Sequence, residues 1–147
     1  MLVGQGQEKG NLKDLTQKLK LNNMLFLDSI PKKMLPAFLN KMDVLYIGLQ
    51  NQKLFKFGIS PNKLMDYMMV SKPILHSVTA GNDLVQEANC GISVPAEDVD
   101  AVADAIKKFM VMSKADLFAL GKSGKEYGIK HHDYKVLAEK FIAWVEK

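Results

Sequence analysis

From Val44 to Met65 the chain carries no acidic residue, yet Lys53, Lys56 and Lys63 fall in that window beside Gly58, Ser60 and Asn62. An anion would be welcome there. Ser60 is a favoured N-cap and Pro61 a favoured first helical residue, so a helix is predicted to open here with its free amides turned toward a ligand crevice. Lys63 then takes the third helical position. A cation at that end opposes the helix dipole at a cost of about 0.3–1 kcal/mol, where a capping box would have placed Glu or Gln. A bound phosphate reverses the sign, because amides, dipole and ammonium converge on the same oxygens. The plain alternative is a lysine that swings into solvent. Asp66, three residues on, lies on about the same side of the helix. Its carboxylate can accept two hydroxyls, which a ribose diol beside a pyrophosphate would offer. The alternative is an ion pair with Lys63 worth only about a few tenths of a kcal/mol.

Such groups act only if the chain brings them to one crevice. Short apolar runs alternate with helical patterns, the rhythm of consecutive βα units in a parallel sheet. Strands are predicted at Met1–Gly4, Met24–Leu27, Val44–Leu49, Pro73–His76 and Gly91–Val94. Helices are predicted over Asn11–Leu21, where Leu12, Leu15, Leu19 and Leu21 lie near one face, over Pro31–Lys41, from Ser60 to Met69, and over Asn82–Ala88. A further amphipathic helix covers Val99–Met112, with Val102, Ala105, Ile106, Phe109 and Met110 as its stripe. From Lys114 on the pattern is wholly helical, in two parts separated near Gly128, the last carrying Tyr134, Leu137, Phe141 and Val145. The fold class is α/β: a Rossmann-like parallel sheet of five short strands flanked by helices, with C-terminal helices and no sign of a second domain.

Ligands of open parallel sheets lie beyond the carboxyl ends of the strands, so the other loops there matter too. Gly4-Gln5-Gly6 lets backbone amides approach a ligand, or only closes a tight turn. Asp28-Ser29-Ile30-Pro31 offers backbone groups to a planar base edge, or only joins strand to helix. Thr79-Ala80-Gly81-Asn82 suits contact with a sugar or the capping of the next helix.

Composition narrows the class. A chain of 147 residues, 48% hydrophobic and 24% charged, can bury about two thirds of its unfolded surface without disulfide or metal. The net charge of +4 comes from lysine alone, with no arginine, which argues against a nucleic-acid partner. A lone cysteine, Cys90, reads as a buried thiol in a reducing, cytoplasmic compartment, with no base near it in sequence to make it a nucleophile. No apolar run nears the roughly 18 residues of a membrane span, and the start lacks a signal pattern. His131-His132-Asp133 reads as surface at a helix start, so no metal site is expected. Met65, Met68, Met69, Met110 and Met112 read as packing residues, and Trp144 as the anchor of the terminal helix.

Four ordered segments, LVGQGQEKGNL, MLFLDSIPKKMLPAFLNKMDVLYI, FGISPNKLMDYMMVSKPIL and GISVPAEDVDAVADAI, closely resemble the C-terminal half of GT-B type, family 4 (group 1) glycosyltransferases. The resemblance covers nearly the whole chain. It is strongest to the bacterial branch with amino-sugar transferases of surface polysaccharide (capsule, lipopolysaccharide) assembly. It implies that residues 1–147 are a donor-binding domain truncated on its N-terminal side, with the acceptor domain absent and the piece alone inactive. The implied donor is a UDP- or GDP-linked hexose or acetamido sugar, which is a substrate, with no cofactor and no metal, and the implied reaction retains anomeric configuration. Asp66 would hold the ribose, Ser60, Pro61, Asn62 and Lys63 would line the diphosphate, and Lys63 and Asp66 would serve the chemistry. Ile30 would meet the base, Gly4 and Gly6 would lie at the nucleotide, and Gly58 and Ile59 near the donor sugar. Membrane association, at the inner face, would come only through the full-length enzyme.

Two departures stand out. The family pairs two acidic residues separated by seven others, but the position eight before Asp66 is Gly58, and the second acid is Asp rather than the usual Glu. The competing class is an NAD(P)-binding oxidoreductase domain, since Gly4-x-Gly6-x-x-x-Gly10 is followed by Asp28, 18 residues after Gly10, near where a ribose-binding acid would stand. The spacing departs from GxGxxG.

Overall fold

All four residues of the run Ile74–Ser77 are buried, as a strand with helices on both faces requires. It is the middle strand of a three-stranded sheet in an α/β chain whose residues 1–146 are described by a computed structural model. The described residues fall into two compact units, Met1–Ala37 and the residues from Phe38 on.

The first unit pairs β1 (Leu2–Val3) with β2 (Phe26–Leu27) in parallel, Leu2 opposite Phe26 and Val3 opposite Leu27. Between them runs α1 (Lys9–Lys18). It stops short of Leu21 because Lys20 turns left-handed at φ 53°, with the Lys20 amide bonded to the Gln17 carbonyl and the Leu21 amide to that of Thr16, a Schellman ending. Leu12, Leu15, Leu19 and Leu21, predicted to share one helix face, are all exposed, and no side chain of this unit is fully buried. The predicted Pro31–Lys41 helix is shorter than expected, a 3-10 turn over Lys32–Met34 continuing into α2 (Leu35–Leu39).

The second unit holds β3 (Leu45–Gly48), β4 (Ile74–Ser77) and β5 (Gly91–Val94), all parallel, with Ile47, His76 and Ser93 in one row across the sheet. The five strands expected are therefore present and parallel, paired as a two-stranded and a three-stranded sheet. Both faces of the larger sheet are covered. On one, Ile47 and Ile74 pack with Leu64 and Met68 of α3 (Asn62–Met69), Val85 of α4 (Leu84–Glu87) and Cys90. On the other, Leu75 packs with Ala105 and Phe109 of α5 (Val99–Val111). The predicted α5 stripe is narrower than expected: Ile106 is exposed and Met110 is 78% exposed.

The expected break at Gly128 is absent, for α6 runs unbroken from Lys114 to His132. Its glycines serve close approach. A Cβ on Gly121 would strike the Ser71 carbonyl, one on Gly124 would lie 2.8 Å from the Cys90 Cβ, and Gly128 faces Met68 of α3. The chain turns only at Asp133, whose carboxylate caps α7 (Tyr134–Val145) at the Lys135 amide. Tyr134, Leu137, Phe141 and Val145 are exposed, and Trp144, expected to anchor this helix, is 82% exposed. Alternation of apolar residues states what α7 could bury; α6 beside it turns its small-residue face to α3.

Candidate functional site

The loop from β3 to α3 is the acid-free, lysine-bearing stretch, and it is tied down at three places. A 3-10 turn over Lys53–Phe57 gives it internal shape. The Gly81 amide donates to the Phe55 carbonyl at 2.8 Å, and a side chain at residue 81 would collide with the Lys56 carbonyl, so the β4–α4 loop lies directly beneath this turn. Beyond it Gly58 takes φ +96°, a conformation open to glycine. Ile59 is then held on both sides by one residue: its amide donates to Asn82 Oδ1 at 2.8 Å, and Asn82 Nδ2 donates to the Ile59 carbonyl at 2.9 Å. At the loop's other end the Asn51 amide donates to Glu97 Oε2 at 3.2 Å, bringing in a carboxylate from 46 residues away.

These ties shift the helix start. Ser60 does not cap α3, and Pro61 is not its first helical residue; Pro61 is the N-cap, with extended ψ 128°, and no side chain caps the helix. The clamp on Ile59 fixes where the chain leaves Gly58, so helical geometry begins at Asn62, with Lys63 second. The Leu64 amide reaches the Pro61 carbonyl at 2.9 Å, leaving the Asn62 and Lys63 amides as uncapped donors of the first turn. Lys63 and Asp66 are both exposed and, among the described residues, form no ion pair with each other or with any other residue. The i to i+3 pair considered above is therefore not made. Lys53 is exposed, and the Lys56 ammonium lies 4.8 Å from the centre of the Phe57 ring.

The Thr79–Asn82 run does not cap α4. Asp83 does, accepting from the Val85 and Gln86 amides at 3.1 Å each, while Thr79 Oγ1 accepts from the Ala96 amide. Under this loop His76 is only 3% exposed, with neither ring nitrogen hydrogen-bonded and Nδ1 3.6 Å from Asp83 Oδ1. Burial pushes its pKa down, the Asp83 carboxylate opposing that in part.

Gly4, Gly6 and Ile30 belong to the first unit. Gly4, at φ +139°, follows β1 and donates to the Leu27 carbonyl at 3.2 Å; no atom stands within 4 Å of a Cβ placed on Gly4 or Gly6. Ile30 is half-buried just past β2. The sequence reading missed Lys9. Its ammonium gathers the Gly4 and Leu27 carbonyls at 3.0 Å each and Asp28 Oδ1 at 2.8 Å. The helix predicted from Asn11 begins two residues earlier, so no local signal marked Lys9 as its first residue. Asp28 also accepts from Gln5, and the Lys9 hydrogen bond and charge hold its carboxyl below the usual range. The acid that a dinucleotide reading would assign to ribose thus already serves Lys9 and Gln5.

Elsewhere, Cys90 is fully buried with its thiol pushed up to about 12 by burial, an inert group. His131 and His132 lie in the last turn of α6 rather than at a helix start, half-buried with Tyr127 4.6 and 5.6 Å from their rings.

Residues 1–112 match the family model described as glycosyl transferases group 1. The chain belongs to that family. This group 1 glycosyltransferase chain is also similar in structure to a sucrose-phosphate synthase from Thermosynechococcus elongatus, with TM-score 0.78 and 20% identity over 96% of the chain. It spans 34% of that protein's length, and the likeness is one of fold, the GT-B arrangement of parallel strands flanked by helices. No curated protein matches it. Family and geometry together leave the oxidoreductase reading without support. Among the described residues, no helix of the glycosyltransferase chain is long and apolar enough to cross a membrane.

Proposed function

We propose that this chain holds the nucleoside diphosphate part of a sugar donor at the start of α3. One observation carries the reading: the first turn of α3 is uncapped, and the two charged side chains beside it, Lys63 and Asp66, are exposed and unpaired. A helix start usually recruits a side-chain acceptor. Here a diphosphate would take that place, accepting from the Asn62 and Lys63 amides and the Lys63 ammonium, with Ser60 and Pro61 alongside. Asp66, one turn on, would accept from the ribose hydroxyls.

The same reading assigns Gly58 and Ile59 to the donor sugar. As the glycosyl–phosphate bond breaks, the anomeric carbon becomes oxocarbenium-like and negative charge grows on the leaving diphosphate. Fixed amides and a lysine lower that barrier without a metal or a further cofactor. Transfer with retention, a UDP- or GDP-linked hexose or acetamido sugar, and a cytoplasmic role in bacterial surface polysaccharide assembly are the finer parts of the proposal. The acceptor would be presented by a separate domain, so the chain by itself is expected to turn over no donor. Titration with UDP and GDP followed by amide NMR tests the site. Lys63→Ala and Asp66→Ala are each expected to weaken binding by about 1–3 kcal/mol, the loss of a charge-assisted hydrogen bond. Unchanged affinity in both would remove the assignment.

A further inference from the structure

We infer that Asn82 is a positioning residue of the donor site, setting the diphosphate end of the β3–α3 loop through Ile59. This rests on the proposed nucleotide reading. A carboxamide places an N–H donor beside a carbonyl acceptor, as a peptide unit does, so Asn82 pairs with Ile59 as a neighbouring strand would, at 2.8 and 2.9 Å. An aspartate carboxylate only accepts, and a hydroxyl donates and accepts through one oxygen, so neither offers a separate donor and acceptor spaced like those of a peptide unit. The pair is not a surface decoration: both residues are half-buried, and Gly58 leaves no room to spare, a Cβ there standing 3.2 Å from Asn82 Oδ1.

Asn82 is itself fixed from behind. Asp83 caps α4 through the Val85 and Gln86 amides, and Val85 is fully buried in the core. Support therefore runs from the buried face of the sheet through the α4 cap to Asn82, from there to the backbone of Ile59, and then over Ser60 and Pro61 into the uncapped turn of α3. Without the clamp, the backbone from Ile59 to Pro61, between a glycine at φ +96° and the first turn of α3, would keep only the packing of the Ile59 side chain on the core and the Leu64–Pro61 hydrogen bond. A ligand would then have to order that segment at its own expense, weakening affinity where the phosphates sit. Asn82 touches no reacting atom in this account. It preorganises the groups that do.

The expected signature is selective. In the full 147-residue chain, Asn82→Ala should weaken UDP and GDP binding about tenfold, the loss of two ordinary hydrogen bonds, while binding of uridine or guanosine changes by less than about twofold. Amide exchange at Ile59, bonded to Asn82, and at Leu64, bonded to the Pro61 carbonyl, should speed up in the unliganded variant, with β4 and β5 amides unchanged. Asn82→Asp, which keeps an acceptor for the Ile59 amide but loses the donor to its carbonyl, should give the same selectivity, and it decides the matter if Asn82→Ala does not fold. Equal loss for diphosphates and nucleosides, or unchanged exchange at Ile59 and Leu64 in the folded variant, overturns the positioning role. If the unaltered chain binds no nucleoside diphosphate, the donor-site reading fails and the inference with it. If it binds and responds to Lys63→Ala but not to Asn82→Ala or Asn82→Asp, the inference alone fails.

Discussion

The two units of the chain carry apolar residues at helical and strand spacing alike, but use them differently. Around β3, β4 and β5 the apolar positions meet partners on both sheet faces: Leu64, Met68, Ile74, Val85 and Cys90 are closed off from solvent. In Met1–Ala37 the leucines of α1 and the residues of β1 stay open, and the order at the strand ends comes from Lys9, one ammonium gathering two carbonyls and a carboxylate. Apolar pattern is thus a capacity for burial, realised only where a second apolar surface arrives. A polar knot can set a local shape without it, but its energy is exposed to water and salt.

Truncations should give the widest contrast. Met68→Ala removes a fully buried side chain and is expected to cost about 2–5 kcal/mol in urea unfolding, whereas Leu15→Ala, on the open face of α1, should change stability by less than about 0.5 kcal/mol. Comparable losses would mean that the first unit has a core of its own. Glycine substitutions should differ in sign. Gly121→Ala drives a methyl into the Ser71 carbonyl and should destabilise by about 1–3 kcal/mol, while Gly10→Ala, in α1 with nothing within 4 Å of its Cβ, should stabilise by about 0.4–1 kcal/mol through helix propensity alone.

Titration gives the smallest effect and again sets one unit against the other. His76 has its folded pKa lowered, so the unfolded chain takes up the proton first. Its contribution is complete above about pH 6.5 and falls as the pH drops below that, with a slope of at most about 1.4 kcal/mol per pH unit for one proton. Replacing His76 by Leu should flatten that part of the stability–pH curve. Asp28 has its pKa lowered too, but as an acid, so its link to Lys9 is present above the ordinary carboxylate range and is lost as pH falls through the folded value. Asp28→Asn is expected to leave the global midpoint alone and to speed exchange at the Gly4 amide.

Much of this was legible in advance where the cause was local. Short apolar runs and the period-3.6 pattern located every strand and most helices to within a few residues, and the β5 prediction coincides with the observed Gly91–Val94. The acid-free window and the Lys63–Asp66 spacing were likewise visible, because charge and helical register are properties of a short stretch of chain. The helix start was not. Ser60 and Pro61 carry the right local preferences, and the distant Asn82 overrides them by holding Ile59. Gly128 misled for a similar reason, since the sequence shows a weak helix former but not the neighbour that needs its missing side chain.

The amino-acid sequence by itself determined the α/β class, the parallel alternation, the family and the stretch that carries the candidate anion site, all of which are read from residue types and their order along the chain. Only the tertiary structure decided which apolar stripes are covered, where α3 begins, what Lys9 and Asn82 hold and which acid the β3–α3 loop meets. Those depend on surfaces and hydrogen-bond partners separated by up to 46 residues, and no local propensity records whether such a partner will arrive.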